Sequence, residues 1–375
     1  MNPLYDQALN LSENLPGTAA NISRVAKATS PEAAQWAFTQ WSLRKKARAK
    51  FALADQMLFD RNGLEMSTHE GLAEYHASLF PAGVRVLDLT AGIGADLIAL
   101  GRRGEAVGCE IDSGRAQLAI HNLMVHGVKA EVWAGDFRAA IDLEPESTCI
   151  YADPSRRESG RRTIDPAQFS PNPLELKDRF DRCPIGVLKL SPMLPDDFLE
   201  SLGGRLEFLS YGGECREALI VLGSESVPGR YAVLVEKRVK LEAQDHYIST
   251  VDAPHAYLYE ADPAVVRAHC LATLAHDFGL EHLADSNGYL VCGHSVDSPW
   301  MVRYRVIESG RGDLREIRRR LAQLGASTPI LKQKGAGLDL QKLHKALHSD
   351  GNLEVHIAFY RDGAALRHAI LTRET

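Results

Sequence analysis

Val84-Arg-Val-Leu-Asp-Leu-Thr-Ala-Gly-Ile-Gly-Ala-Asp96 is the stretch on which the fold turns. An apolar run ends in Asp88, a turn holds Gly92 and Gly94, and Leu97-Ile-Ala-Leu100 continues as a helix. A strand, a glycine turn and a helix in that order can cradle a nucleoside, because glycine lets the backbone approach a ligand where a Cβ would clash. Outward from this unit, β and α patterns alternate. Strands are expected over 84–89, 105–110, 129–134, 149–152 and 186–190, and again over 206–209, 218–222 and 231–235. A short helix is expected over 96–102. A second is expected to be capped by Ser113, with Ala116, Ile120, Leu123 and Met124 on its apolar side and Gly127 closing it. Such alternation predicts an α/β fold with a mostly parallel sheet covered by helices on both faces.

A chain of 375 residues suggests two or three domains. Residues 1–80 read as a helical region. Ser30 is its clearest N-cap, with Pro31 at the first helical position and Glu32 in the first turn. Trp36, Phe38 and Trp41 are expected to pack as anchors. The run Arg44-Lys-Lys-Ala-Arg-Ala-Lys50 reads as a solvated helix face, with nucleic-acid contact as the alternative. Ser67-Thr68-His-Glu70 has the look of a helix start. Residues 81–250 form the nucleoside-binding domain, 251–297 a small αβ, ferredoxin-like segment, and 298–375 a final α+β unit. In that unit Asp313 caps a helix with Leu314, Ile317, Leu321 and Leu324 inward and Arg315, Arg318, Arg319 and Arg320 outward, ended by Gly325. Strands over 353–360 and 365–372 are expected to pair across Arg361-Asp-Gly363.

Composition excludes several classes. No apolar run approaches the roughly 18 residues of a membrane span, and the N-terminus lacks the pattern of a signal peptide. Six scattered cysteines with no C-x-x-C pair point to reduced thiols and a cytoplasmic protein. Cys292-Gly-His294 comes nearest to metal-ligand spacing, and two isolated ligands leave no metal expected. The net charge is −6, yet Trp300 to Thr375 holds 14 Lys and Arg against 8 Asp and Glu. A basic unit on an acidic body suits an anionic partner, or is a solvated face. No membrane partner is expected, and the sequence carries no signal of oligomeric state.

Two further acids make the expected cofactor S-adenosylmethionine. Asp88 ends the first strand, where a cofactor's ammonium and sulfonium would lie, and Thr90, Ala91, Gly92 and Gly94 form the turn around it. Glu110 ends the second strand and can accept both hydroxyls of a ribose, with Ile111 beside it. Asp136 follows the third strand and can accept from the adenine amine, with Phe137 flanking the ring. A nicotinamide dinucleotide site shares the ribose acid. It lacks an acid four residues before the glycines, and it requires a third glycine that Gly92-Ile-Gly-Ala-Asp-Leu97 does not have.

The fourth strand runs into Asp153-Pro154-Ser155. An aromatic amine is a poor nucleophile because its lone pair is conjugated. The Asp153 carboxylate and the Pro154 carbonyl can accept its hydrogens and direct the lone pair at a methyl donor, a matter of orientation and electrostatics. Asp153, Pro154 and Ser155 are therefore the candidate catalytic residues. Arg156 and Arg157 follow at once and suit phosphate contacts or internal ion pairs. Lys189, at the end of the fifth strand, faces substrate or caps the strand.

The Asp-Pro step resembles the (Asp/Asn/Ser)-Pro-Pro-x motif of methyltransferases that act on base nitrogens, with Ser155 in place of the second proline. More widely, Phe59-Asp-Arg-Asn-Gly-Leu-Glu65, Asp88 to Asp96, Tyr151-Ala-Asp-Pro-Ser-Arg-Arg157, Tyr257-Leu-Tyr-Glu-Ala-Asp-Pro263 and Ser298-Pro-Trp300 resemble the bacterial class I S-adenosylmethionine-dependent methyltransferases with a THUMP-like C-terminal domain. The resemblance covers the chain from about residue 50 onward. Phe59 to Thr68 with the glycine turn is also distantly similar to trimethylguanosine synthase. That enzyme has Pro-Pro-Trp where this chain has Pro154-Ser-Arg156, so its cap substrate does not carry over. The resemblance implies a Rossmann-like sheet and an RNA-directed methyltransferase whose basic C-terminal unit grips RNA. A methyltransferase of small molecules or proteins, and a non-catalytic RNA-binding module, are the alternatives.

Overall fold

Five parallel strands organise the first part of the chain: β1 (Val86–Asp88), β2 (Ala106–Glu110), β3 (Glu131–Ala134), β4 (Cys149–Ala152) and β5 (Gly186–Leu190). The computed structural model describes residues 3–374 except 156, 159, 160, 163 and 164, and only the backbone of 157, 158, 161, 162 and 167. The strand order is β5-β4-β1-β2-β3. Every residue of β1, β2 and β4 is buried, as strands covered on both faces require. β3 lies at the edge and leaves Glu131, Trp133 and Ala134 exposed. The expected five strands are thus present. β1 is shorter than the pattern 84–89, although backbone bonds from Cys149 N–H to Arg85 O and from Leu89 N–H to Tyr151 O extend the ladder at both ends.

The chain divides into two units, Met1–Leu190 with Ile220–Ser226, and Ser191–Leu219 with Val227–Thr375. In the first, Ser30 caps the helix Pro31–Ala47 by accepting from Ala33 N–H. Trp36 packs on a core of Ala8, Val25, Ala33, Ala34, Ala37 and Phe38, and Trp41 Nε1 donates to Ser12 Oγ at 3.1 Å. The basic run 44–50 is no uniform solvated face. Arg44 is buried and donates to the Met57 carbonyl, Arg48 pairs with Asp55, and Lys50 Nζ donates to the carbonyls of Leu64 and Ser67. These cations fasten the loop that follows the helix, satisfying carbonyls that no secondary structure claims. Gln40 holds both backbone groups of Phe59. Asn122 accepts from Leu58 N–H and donates to the carbonyls of Leu58 and Ile93, which ties segment 57–60 to the glycine turn.

Two details of the helix Ser113–Val125 differ from expectation. Asp112, not Ser113, is the N-cap, because its longer side chain reaches Arg115 N–H at 2.9 Å. Met124 is 67% exposed, and the inward face is Ala116, Ala119, Asn122 and Leu123. The helix start expected at 67–70 is present: His69 caps the helix Glu70–Ser78, and Thr68 is engaged elsewhere.

In the second unit, Arg205–Tyr211 and Gly229–Leu234 pair in parallel and Val239–Glu242 adds an antiparallel strand. A separate eight-stranded sheet joins strands from the expected segment 251–297 to strands from the expected unit 298–375, through Tyr257–Ala261 against Met301–Arg311. The helix Leu314–Leu324 is capped by Asp313 and ended by Gly325, with Ile317 and Leu321 in a core shared with Ile357, Phe359 and Ile370. In the final hairpin the first strand runs two residues further than expected, through Arg361 and Asp362. Asp362 still pairs with Ala365, and Gly363, at φ +58°, takes the left-handed position.

Candidate functional site

All the candidate cofactor and catalytic residues lie in the first unit, at the carboxyl ends of its parallel strands. In open sheets of this kind, that edge is where ligands bind. Asp88 ends β1 and is buried. Its Oδ1 accepts from Thr90 N–H at 2.9 Å, while Oδ2 is buried with no hydrogen-bond partner among the described residues. The turn then passes through Gly92 at φ +55° and Gly94 at φ +90°, a region that only glycine enters freely. A Cβ on Gly94 would also stand 3.3 Å from the Ala119 backbone. Ala91 N–H bonds to Cys109 O, fixing the turn to β2.

Glu110 closes β2, buried, with Oε1 accepting from Asp112 N–H at 2.9 Å and forming a longer, 3.7 Å ion pair with Arg115. Ile111 beside it is 77% exposed, an apolar side chain left open next to an acid. Asp136 caps the helix Phe137–Leu143 through Arg138 N–H, and that bond, foremost, holds its carboxyl below the usual range. Phe137 is partly buried and lies under the Arg138 guanidinium. Asp88, Glu110 and Asp136 thus follow three strands that are neighbours in the sheet.

Asp153 follows β4. Its backbone N–H donates to Thr90 Oγ1 at 2.7 Å, which joins the Asp-Pro loop to the glycine turn. Pro154 is buried, and Ser155 exchanges two backbone bonds with Ser170. Lys189 Nζ reaches Asp153 Oδ2 at 2.6 Å and Thr68 Oγ1 at 2.8 Å. Arg156 lies outside the described residues, and of Arg157 only the backbone is described, paired with Arg162. Among the described residues, no group of three or more His, Cys, Asp or Glu is placed to hold a metal, and Cys292 Sγ meets His294 Nδ1 at 2.9 Å.

Four residues at this site were absent from the sequence expectation: Thr68, His76, Asp96 and Tyr151. Asp96 accepts from Thr68 Oγ1 at 2.6 Å and lies 2.8 Å from His76 Nδ1, and the Tyr151 hydroxyl lies 3.1 Å from the same nitrogen. One signal was available. Asp96 is an acid within the otherwise apolar Ala95-Asp-Leu-Ile-Ala-Leu100, and a charge on a buried face needs a partner.

The buried acids are held in opposite states. Burial, above all, and then Asp96 push the Asp88 carboxyl well above its usual range. For Asp96 burial also acts upward, but His76, Lys189 and Thr68 together outweigh it and bring the carboxyl to about 2. A raised acid makes the fold lose stability as pH rises above the unfolded value, because the unfolded chain ionises while the native one resists. Asp88→Asn is therefore expected to raise the melting temperature at pH 7 and to lose that advantage towards pH 4. Calorimetry at the two pH values checks this, and an equal shift at both contradicts it.

No protein-family model matches the chain. It aligns over 94% of the structure of a protein from Porphyromonas gingivalis W83 provisionally named a methyltransferase, with 99% of this chain covered, a TM-score of 0.79 and 21% identity. The chain has a methyltransferase fold. Two Mycobacterium tuberculosis proteins, from strains CDC 1551 / Oshkosh and H37Rv, are each 27% identical over 342 residues. The match covers 88% of this chain and 94% of theirs, and both are named uncharacterized S-adenosylmethionine-dependent methyltransferases. The α/β class expected from the strand–turn–helix unit is that of the fold found.

Proposed function

We infer that this protein transfers a methyl group from S-adenosylmethionine to a nitrogen of an RNA base. The observation that carries the reading is the 2.7 Å bond from Asp153 N–H to Thr90 Oγ1. It makes the Asp-Pro loop and the cofactor turn one piece, so an acceptor at Asp153 and a donor at the turn would be held in register.

The residues present fit S-adenosylmethionine. Asp88 has a buried oxygen with no partner among the described residues, which favours a nearby cation. Glu110 stands where a ribose diol would be accepted, and the open Ile111 offers an apolar face to a purine. When bound, the cofactor supplies an electrophilic methyl on a sulfonium. Asp153 and the Pro154 carbonyl would accept the hydrogens of the acceptor amine and aim its lone pair. Asp153 would take the proton released as the nitrogen–carbon bond forms. The target base has to leave its stack to reach this loop, which favours loops and single strands.

The RNA part of the reading draws on the C-terminal unit, read as THUMP-like. Its helix Leu314–Leu324 exposes Arg315, Arg318 and Arg319, and Arg319 makes a long, 3.8 Å ion pair with Glu316. These guanidinia would meet phosphates. Replacing the three by Ser is expected to weaken binding of total RNA and to flatten the plot of log affinity against log salt by about 2, at about 0.7 per lost single-strand phosphate contact. An unchanged slope removes the helix from the interface. Methylation of a small molecule or a protein is the second reading, favoured by the net charge of −6.

A further inference from the structure

Asp153 is one end of an unbroken line of side-chain hydrogen bonds that runs into the interior. Lys189 Nζ bridges Asp153 Oδ2 and Thr68 Oγ1, at 2.6 and 2.8 Å. Thr68 passes its own hydroxyl hydrogen to Asp96 Oδ2 at 2.6 Å, and Asp96 Oδ1 meets His76 Nδ1 at 2.8 Å. Behind the imidazole, the Tyr151 ring stacks at 5.7 Å, and its hydroxyl reaches the same nitrogen. The parts come from separate pieces of chain. Thr68 precedes the helix Glu70–Ser78, which carries His76; Asp96 lies in Ala95–Gly101, Tyr151 in β4 and Lys189 in β5.

This is an expensive way to fill space. Thr68, His76, Asp96 and Tyr151 are all buried. Taking charged groups from water costs several kcal/mol per ion, about what good pairing returns, and well-packed apolar side chains would serve stability as well or better. What the polar line does, and apolar packing cannot, is fix a charged group at its outer end. Lys189 is gripped from two sides, with the Asp96 charge drawing it inward, so the carboxylate it holds cannot swing freely. We propose that Thr68, Asp96 and His76, acting through Lys189, are positioning residues that hold the Asp153 carboxylate in line with the acceptor amine. Lys189, expected from the sequence to face substrate or cap its strand, is thereby given a partner in Asp153. The proposal rests on the reading of Asp153 as the amine-binding acid.

Thr68→Val tests it, because it removes the hydroxyl and keeps the shape. With the full chain, labelled S-adenosylmethionine and total RNA from cells lacking the gene, kcat is expected to fall about tenfold to a hundredfold, the scale of a small misplacement at a reacting centre. Affinity for the cofactor and KM for RNA should stay near those of the unaltered protein, while the melting temperature falls because the buried Asp96 carboxylate loses a donor. Thr68→Ser, which restores the hydroxyl, should recover most of kcat. Equal losses in Val and Ser variants, or no loss in Val, overturn the proposal. Asp153→Asn in the same assay separates the two layers. If it is inactive while Thr68→Val is unimpaired, the positioning line fails and the reading of Asp153 stands; if it is fully active, both fail.

A readout without turnover tests the line itself. In protein with 15N-labelled histidine, the His76 ring signals are identified by their loss in His76→Gln. Asp153→Asn and Lys189→Met are expected to shift them. Signals that move in neither variant overturn the proposal even if RNA is methylated.

Discussion

Asp153→Ala is expected to lower methyl transfer about a thousandfold, the middle of the range for a positioned proton acceptor, and to leave affinity for S-adenosylmethionine unchanged. The separation follows from where the residue makes its bonds. Its link to the cofactor turn is through the backbone N–H to Thr90 Oγ1, and that bond survives the substitution. Its carboxylate faces Lys189 and, on the present account, the acceptor amine. Removing the carboxylate leaves a partly buried ammonium without its acid, so some thermal destabilisation is expected as well. Single-turnover methyl transfer and calorimetric titration with the cofactor distinguish the roles. Loss of cofactor binding in this variant would move Asp153 from the acceptor side to the donor side.

Glu110→Ala has the opposite signature. Cofactor affinity is expected to fall by about a hundredfold, some 3 kcal/mol, because the proposed role of Glu110 gives it two charge-assisted hydrogen bonds to the ribose from a buried position. The saturated rate should change far less, since the ribose is remote from the reacting centre. Glu110 also accepts from Asp112 N–H, so part of the loss comes from a loosened turn. Glu110→Gln separates the contributions: it keeps a carbonyl acceptor for Asp112 and removes the charge. A saturated rate that falls as much as affinity would place Glu110 nearer the chemistry than the end of β2 suggests.

The sheet was legible because its signals are local. Val86, Leu87 and Asp88 with two glycines behind them form a strand and turn in any setting, and the glycines at 92 and 94 adopt the positive φ values that explain their presence. The acids at 110 and 136 could be located in the fold because Glu110 ends the apolar run of β2 and Asp136 follows the Gly135 that comes just after β3. The network under Asp153 was not legible. Thr68 and Lys189 are 121 residues apart and His76 and Tyr151 are 75 apart, and no spacing rule connects them. Thr68 was hidden in a stretch that reads as a helix start, where His69 makes the cap and the Thr68 hydroxyl turns to Asp96 instead. The basic run at 44–50 misled for a related reason. Its charges were visible, but the acceptors of Arg44 and Lys50 are backbone carbonyls, which carry no signature in a sequence. The hairpin turn begins two residues late because Arg361 and Asp362 both extend the ladder, and the positive φ of Gly363 marks where it stops.

The most direct test of the central claim is methyl transfer from radiolabelled S-adenosylmethionine into total RNA from cells lacking the gene, followed by digestion and nucleoside analysis. Label is expected in a nucleoside methylated on a base nitrogen, appearing about a thousandfold more slowly when Asp153→Ala replaces the unaltered chain. Label on a ribose hydroxyl, or label in protein or small molecules with none in RNA, would contradict it.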